Sequence, residues 1–216
     1  MGRVAQAPAE DVITPPARTR ARRGEGERLR DEILVAAARV LAESGSEQAM
    51  SIRAVADAAG VTPPSIYMHF ADKTDLVYAV CERNFTELDA YVESQLAGVD
   101  DPSERLALRG RAYIGFGLDH AEQYRVLFMT TEFPEHYTPE KMSEMAGYQH
   151  LVDNVRECMH AGTIATDDPE VVSVGLWALV HGITSLLVSR PSFPWPPVDT
   201  LVDHVLATYA SGLSRQ

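Results

Sequence analysis

Between Ser51 and Phe70 the chain gathers side chains whose chemistry suits a polyanion. Ser51 and Thr62 offer hydroxyls, Arg53 a guanidinium, Tyr67 a phenol and His69 an imidazole, while Met68 and the Pro63-Pro64 pair offer apolar surface. Such donors serve phosphate oxygens, and such apolar groups can touch a thymine methyl in a major groove. They act together only if one scaffold presents them on one side. Ser51 is a suitable N-cap for a helix over 52–59 that stops at Gly60. Thr62 opens the next helix, whose first turn tolerates two prolines because the N–H groups there have no intrahelical partner. That helix is predicted to run to about Phe70. Ala56, Ala58 and Ala59 are small where the two helices cross, and Val61 and Ile66 plug the joint core. On this reading Pro63, Ser65, Tyr67, Met68 and His69 face outward. An ordinary helical hairpin with a surface Tyr and His has the same spacing, and spacing alone leaves both readings open.

The flanking elements are also helical. Leu29, Ile33, Ala36, Ala37, Val40 and Leu41 recur at helical spacing, predicting a first helix over 27–44 that closes at Gly45. Asp72 caps a long fourth helix with Leu76, Val77, Val80, Asn84, Leu88, Tyr91 and Val92 along one face. Further helices are predicted over 102–119, 121–129, 139–160, 169–189 and 198–213. No strand pattern or internal repeat appears. The expected fold is all-α with about nine helices: an Arg-rich disordered arm over 1–26, a three-helix helix-turn-helix head over 27–80, and a larger helical domain over 81–216. Arg18, Arg20, Arg22, Arg23, Arg28 and Arg30 crowd one short window that runs from the arm into the first helix, and the arm is either a solvated terminus or a segment reaching DNA.

The 216 residues hold 19 Lys and Arg against 31 Asp and Glu, a formal charge of −12. Taken whole, this acidity speaks against nucleic acid. Residues 1–79, however, carry 10 basic against 11 acidic residues, a net −1, and residues 80–216 carry 9 against 20, a net −11. The acidity therefore belongs to the C-terminal half. Two cysteines, Cys81 and Cys158, build no disulfide framework, and no signal peptide is recognisable at the start. No stretch is expected to reach the ~18 apolar residues of a membrane span. The expectation is a cytoplasmic protein with no membrane partner. There is no Gly-rich phosphate loop, no Gly-x-Ser-x-Gly and no His-Glu-x-x-His, so neither an enzyme nor a cofactor is expected. His150, Asp153, Glu157 and His160 share a helical stripe of metal-ligand types. A solvated helix face is the simpler account, and no metal site is assigned.

The run Ser51 to Phe70, with Asp72-Lys73 and Leu76 after it, closely resembles the DNA-binding domain of the tetracycline-repressor (TetR) family. The shared pattern is an Ala-Gly-Val turn, a Tyr-x-His-aromatic end to the recognition helix, and a Lys beginning the next helix. The resemblance covers about residues 27–80. It implies a homodimer that binds a pseudo-palindromic double-stranded operator as a repressor, and a C-terminal domain that holds a small-molecule inducer. Tyr67, His69 and Lys73 match positions that contact phosphates in the family, with the helix N-terminus at Lys73 adding its dipole. Ser51 and Thr62 cap helices directed at the backbone, and Arg53, Pro64, Ser65 and Met68 are the candidates for base edges. Pro63-Pro64 departs from the family's usual polar residues and favours apolar contact over hydrogen-bonded readout.

Farther along, Trp177-x-x-x-His181-Gly182 and Tyr124-Arg125-x-Leu127-Phe128-Met129 resemble a subgroup with a Trp-His-Gly signature. The candidate pocket residues are Tyr113, Phe116, Gly117, Phe128, Met129, Met142, Met145, Tyr148, Trp177 and His181. An apolar cavity with a few polar handles suits a hydrophobic inducer, although plain core uses the same residue types. Gly175, Gly182 and Ser185, with Leu201, Val205 and Thr208 on the last helix, suggest a four-helix dimer interface.

Overall fold

The computed structural model describes residues 25–44, 48–129, 146–165 and 168–214. Among them are nine helices: α1 (Glu25–Ser44), α2 (Ile52–Ala59), α3 (Pro63–Tyr67), α4 (Lys73–Gln95), α5 (Pro102–Asp119), α6 (Ala121–Met129), α7 (Ala146–His160), α8 (Pro169–Ser189) and α9 (Val198–Leu213). No strand occurs among the described residues. The chain is all-α, as its periodicity requires. The Arg-rich segment up to residue 24, Gly45 and the predicted helical stretch 139–145 lie outside the described residues.

Helix starts follow one local rule. Ser51, Asp72, Asp101 and Asp168 each hold an extended backbone and accept a hydrogen bond from an N–H in the first turn, at Ala54, Asp75, Glu104 and Glu170 respectively. Each thereby satisfies a donor that the helix itself cannot pair, worth about 1 kcal/mol. Pro102 and Pro169 follow their caps where a missing N–H costs nothing.

The third helix departs from its predicted length and cap. It spans Pro63–Tyr67, with Met68 as its last αR residue, and the His69 and Phe70 N–H groups both donate to the Ile66 carbonyl. This final turn swings Phe70 into the core, where only 2% of it is exposed. Thr62 occupies the N-cap position without a side-chain cap. The two prolines explain this: neither has an N–H to give, and the first available one, on Ser65, donates to the Thr62 carbonyl at 2.8 Å.

Three buried clusters organise the molecule. Ile33, Ala37, Leu41, Val55, Ala56, Ile66, Phe70, Leu76, Val77 and Val80 form the head core. Leu88, Val92, Leu96, Ala112, Phe116 and Leu127 form a second, and Ile114, Val180, Leu187 and Val202 a third. Burying one such aliphatic side chain contributes about 1.5–3 kcal/mol, so α4, which feeds both of the first two clusters, fastens the halves together. The predicted boundary at residues 80–81 falls inside this helix. Val126 of α6 also belongs to the head core, and the Cys81 thiol donates to the Val126 carbonyl at 3.8 Å.

One expectation needs correcting. α8 is 21 residues long with a mean hydropathy of 2.0 over its best window, long and apolar enough to cross a membrane. A third of that window is buried, and the helix packs into the bundle along one face. Val172, Ser173, Val180, Thr184, Leu187 and Val188 are buried, and α8 packs on α5 and α7. The periodicity of the buried set is that of one helix face against neighbours.

Candidate functional site

The head presents its candidate residues by excluding them from its core. α2 ends at Gly60, whose φ of 67° lies in the left-handed region. There Gly60 N–H donates to the Asp57 carbonyl and Val61 N–H to the Ala56 carbonyl, closing the helix in a Schellman pair. The turn leads directly into α3, with Val55, Ala56 and Ile66 buried at the crossing and Ala58, Ala59 and Val61 packed around them. What faces solvent is Ser51 and Arg53 at the start of α2, and Thr62, Pro63, Pro64, Tyr67 and Met68 along α3. Tyr67 is 54% exposed and Met68 72%. His69 and Lys73 are half-buried at the rim. The Ser51 oxygen accepts from Ala54 N–H and keeps its own hydrogen for a further acceptor.

Ser65 does not belong to this face, contrary to its predicted outward position. It is 8% exposed, and its hydroxyl lies 3.0 Å from that of Thr62. The reason is helical phase: Ser65 adjoins Ile66 on the inner side, while Pro64 and Met68, four residues apart, share the outer one. At the start of α4, Asp72 accepts from Asp75 N–H and the Asp75 carboxylate from Ala71 N–H, both at 2.8 Å, so these two amides are taken by carboxylates.

In the C-terminal half the predicted pocket residues divide. Tyr113 of α5, Phe128 of α6, and Trp177 and His181 of α8 come together, joined by Tyr124 of α6. The Tyr113 and Tyr124 hydroxyls lie 3.2 and 2.9 Å from His181 Nδ1. One ring nitrogen cannot accept from both. The arrangement is satisfied when Tyr113 donates to Nδ1 and Tyr124 donates to the His181 backbone carbonyl at 3.2 Å. Burial lowers the pKa of His181, favouring the neutral ring that this pattern needs. Burial likewise raises the pKa of Tyr113, and raises that of Tyr124 to about 12. Both phenols therefore stay protonated and able to donate. Phe128 stands edge-on to His181 with ring centroids 4.4 Å apart, and the Tyr124 and Phe128 centroids are 4.7 Å apart.

Gly117 underlies the cluster because a Cβ there would collide with Thr184 and press on the Tyr124 ring. Phe116 lies in the second cluster beside Tyr91 and His120, with Tyr113 and Phe128 packed against that cluster. Tyr148 is also apart, its hydroxyl donating to Glu170 at 2.7 Å. Burial, and then the neighbouring Glu170 carboxylate, push its pKa up to about 12. Met142, Met145 and the side chain of Met129 lie outside the described residues. Sequence reasoning left Tyr124 and Thr184 out of the site. The available signal was their helical spacing, Tyr124 to Phe128 at i, i+4 and His181 to Thr184 at i, i+3. A groove of about 1080 Å³ opens on the outer face of the head, between α1, α2 and α4, and is not lined by the His181 residues.

The helical stripe of His150, Asp153, Glu157 and His160, to which no metal is assigned, makes separate contacts. His150 Nδ1 lies 2.9 Å from Asp89 and 3.4 Å from Glu93 of α4, Asp153 pairs with Arg156, and Glu157 pairs with Arg105. Asp89, Glu93 and His150 bring their ligand atoms within 4.8 Å of one another. Arg109 closes this group, holding Glu93 at 2.7 Å from a nearly buried position and reaching Asn154 at 3.5 Å. The network ties α4, α5 and α7 together.

Comparison with known proteins adds to this geometry. Residues 33–80 match the family described as bacterial regulatory proteins, tetR family, and residues 106–209 match the tetracyclin repressor-like C-terminal domain. The HTH-type transcriptional activator FasR of Mycolicibacterium smegmatis is 32% identical over 99 residues, 46% of this chain and 45% of that protein. The HTH-type transcriptional repressor KstR of Mycobacterium tuberculosis is 30% identical over 82 residues, 38% of this chain and 37% of that protein. The chain thus matches less than half the length of these curated relatives. A solved structure of a protein of unknown function from Rhodococcus sp. RHA1 superposes with a TM-score of 0.73 at 27% identity, covering 87% of this chain and 96% of that one. With a helix-turn-helix head and a C-terminal domain each matched to its own half of the family architecture, the chain belongs to the TetR family of DNA-binding transcriptional regulators.

Proposed function

We propose that the protein is a ligand-responsive repressor that binds a palindromic operator as a homodimer and leaves it when a small hydrophobic molecule enters the C-terminal half. The supporting observation is the placement of α6. Its Tyr124 and Phe128 touch His181, while Val126, between them in sequence, is buried in the head core and takes the Cys81 hydrogen bond from α4. A molecule that parts the aromatic rings must move α6, and α6 cannot move without disturbing α4 and the head. Two heads on one operator must sit about 34–36 Å apart to enter successive major grooves, so a small displacement of α4 lowers affinity. The ligand acts by its differential affinity for the two arrangements.

Tyr67, His69 and Lys73 hold phosphates on this reading, with Ser51 and Thr62 beside them, and Arg53, Pro64 and Met68 approach the bases. Ser65 contributes by fixing Thr62. The dimer forms through α8 and α9, and on α8 Val171, Val174 and Leu186 are exposed large apolar side chains. We place the C-terminal half in the Trp-His-Gly subgroup on the strength of Trp177 packing beside His181. The inducer is uncharged where it meets the cluster, because a neutral imidazole and two protonated phenols offer hydrogen bonds but no counter-charge.

A mobility shift with the DNA upstream of the chain's own gene tests the reading. A shift at low salt that a hydrophobic extract component reverses is the expected result, and no shift from a folded dimer would overturn it. An activator is the second reading, favoured by the match to FasR, whose name makes it an activator. A promoter fusion separates the two: deletion of the regulator raises expression for a repressor and lowers it for an activator.

A further inference from the structure

We infer that α3 recognises the C5-methyl groups of pyrimidines themselves and not the hydrogen-bonding edges of base pairs, an inference that rests on the operator-binding reading above. Direct readout of an edge needs a donor or acceptor on the outer face of the recognition helix. This face has none between its ends. Pro63 and Pro64 carry no N–H and no polar side-chain atom, and both are exposed. Ser65, the hydroxyl in the middle of the helix, is buried and bonded to Thr62, and the other, on Tyr67, stands at the helix end. Met68 lies four residues after Pro64 and is 72% exposed, an unusual state for a flexible apolar side chain.

Pro64 and Met68 therefore form one continuous apolar strip along α3. Tyr67 beside it and Thr62 at its start supply hydroxyls at the margins, where phosphates run. The strip lies among Thr62, Tyr67, His69 and Lys73, the donors assigned to phosphates above, so its occupant on that reading is the floor of the major groove between them. The apolar group that duplex DNA displays there is the pyrimidine C5-methyl, carried by thymine and by 5-methylcytosine but not by uracil or cytosine. Thioether and pyrrolidine carbons match a methyl in chemistry and size, and they gain nothing from an amino or carbonyl edge. A helix of this kind is blind to the difference between T·A and 5-methylcytosine·G, and responds to the presence of the methyl.

The test begins by selecting the preferred site from a random duplex pool with the full chain at fixed salt. Thymines in each half-site are then replaced singly by uracil, and T·A pairs by C·G or 5-methylcytosine·G. At the one or two positions beneath Pro64 and Met68, uracil and C·G are expected to weaken binding about fourfold each, the weight of one buried carbon, while 5-methylcytosine·G binds within about twofold of T·A. Met68→Ala should weaken binding to the thymine site by a similar factor and lose nothing further on the uracil site. Uracil tolerated at every position overturns the inference, as does rejection of 5-methylcytosine·G as strongly as C·G. In either case operator binding itself stands. Failure to enrich any sequence, with the protein folded and dimeric, overturns the operator reading and this inference together.

Discussion

In the head, Tyr67 and Met68 stand 54% and 72% exposed over a core that leaves them out, whereas in the C-terminal half Tyr113, Tyr124 and His181 turn inward and bond to one another. The same residue types serve opposite ends. The head presents chemistry to a partner much larger than itself, so its functional residues are those its packing rejects. The C-terminal half must enclose a small partner, so its functional residues are part of the packing. Substitutions should therefore separate binding from stability in the head, and couple the two in the C-terminal half.

The largest effect is expected at Gly117. A side chain there must occupy space held by Thr184 and Tyr124. Gly117→Leu should cost about 3 kcal/mol through overpacking, lowering the melting temperature by about 6–12 °C for a chain of this size. Gly115 offers the contrast on the same α5: a Cβ there meets only the Tyr91 hydroxyl, at an ordinary 3.6 Å. Gly115→Ala should leave melting unchanged or raise it slightly through helix propensity. Equal losses for the two variants would break the claim that α5 and α8 depend on close approach at Gly117.

Next come the exposed residues of the head. Tyr67→Ala and Lys73→Ala should each weaken operator binding roughly tenfold, the scale of a charge-assisted contact, with melting displaced by no more than about 1 °C. Lys73→Ala should also flatten the dependence of log K on log salt by about one. Unchanged affinity with either variant would count against the phosphate role, and a large drop in melting would show that the head couples function to packing after all.

This contrast also explains what could be read from the sequence. The head was legible because its turn is punctuated by Gly60, its core alternates small and branched residues, and its outward set is chemically unlike its inward set. Ser65 misled because a serine beside two prolines has the composition of a surface position, and only the phase fixed by Ile66 turns it inward. Thr62 misled because capping requires a donor that the prolines had removed. In the C-terminal half, helices were legible from Asp-Pro starts at Asp101-Pro102 and Asp168-Pro169, but site membership was not. Phe116 and Tyr113 are three residues apart on α5 and touch the same cluster, yet only Tyr113 reaches His181 through its hydroxyl, and Tyr148 is claimed by Glu170. Such choices depend on which helix arrives opposite, and that information lies far along the chain. The apolar run of α8 is expected to fall short of a membrane span, and it proves long and apolar enough for one.

A smaller effect is expected from protons at the inner cluster. His181 in the folded chain holds its proton less tightly than the ordinary imidazole, whose pKa is about 6.5. As the pH falls below about 6.5, the unfolded chain takes up this proton first, and stability is lost down to the folded value. Above 6.5 the contribution is fully present. His181→Phe removes this term, so its melting temperature should fall less between pH 7 and pH 5 than that of the unaltered chain. The variant also starts lower at pH 7, because the buried Tyr113 hydroxyl loses its acceptor. Parallel pH profiles would show that His181 keeps an ordinary affinity for protons and that the cluster is open to water.

The smallest effect concerns two arginines of the basic window that the first helix takes in. Arg28 and Arg30 both lie on α1, and their surroundings differ. Arg28 forms an i, i+4 pair with Glu32 at 3.2 Å, with both side chains mostly exposed. Arg30 lies over the Phe70 ring, 5.1 Å from its centroid. An exposed helical pair is screened by water and salt and contributes at most a few tenths of a kcal/mol. A guanidinium on an aromatic face contributes about 0.5–1 kcal/mol, and its stem covers apolar surface as well. Phe70 is buried in the head core on its other side, so Arg30 acts as the outermost layer of that core. Arg30→Ala should therefore lower the melting temperature by about 1–4 °C, and Arg30→Lys should recover only part of it, because a compact ammonium stacks less well than a planar fork. Arg28→Ala should leave melting unchanged at 0.15 M salt. If the two alanine variants melt alike, Arg30 belongs with the solvated charges of the arm, and the head core ends at Phe70.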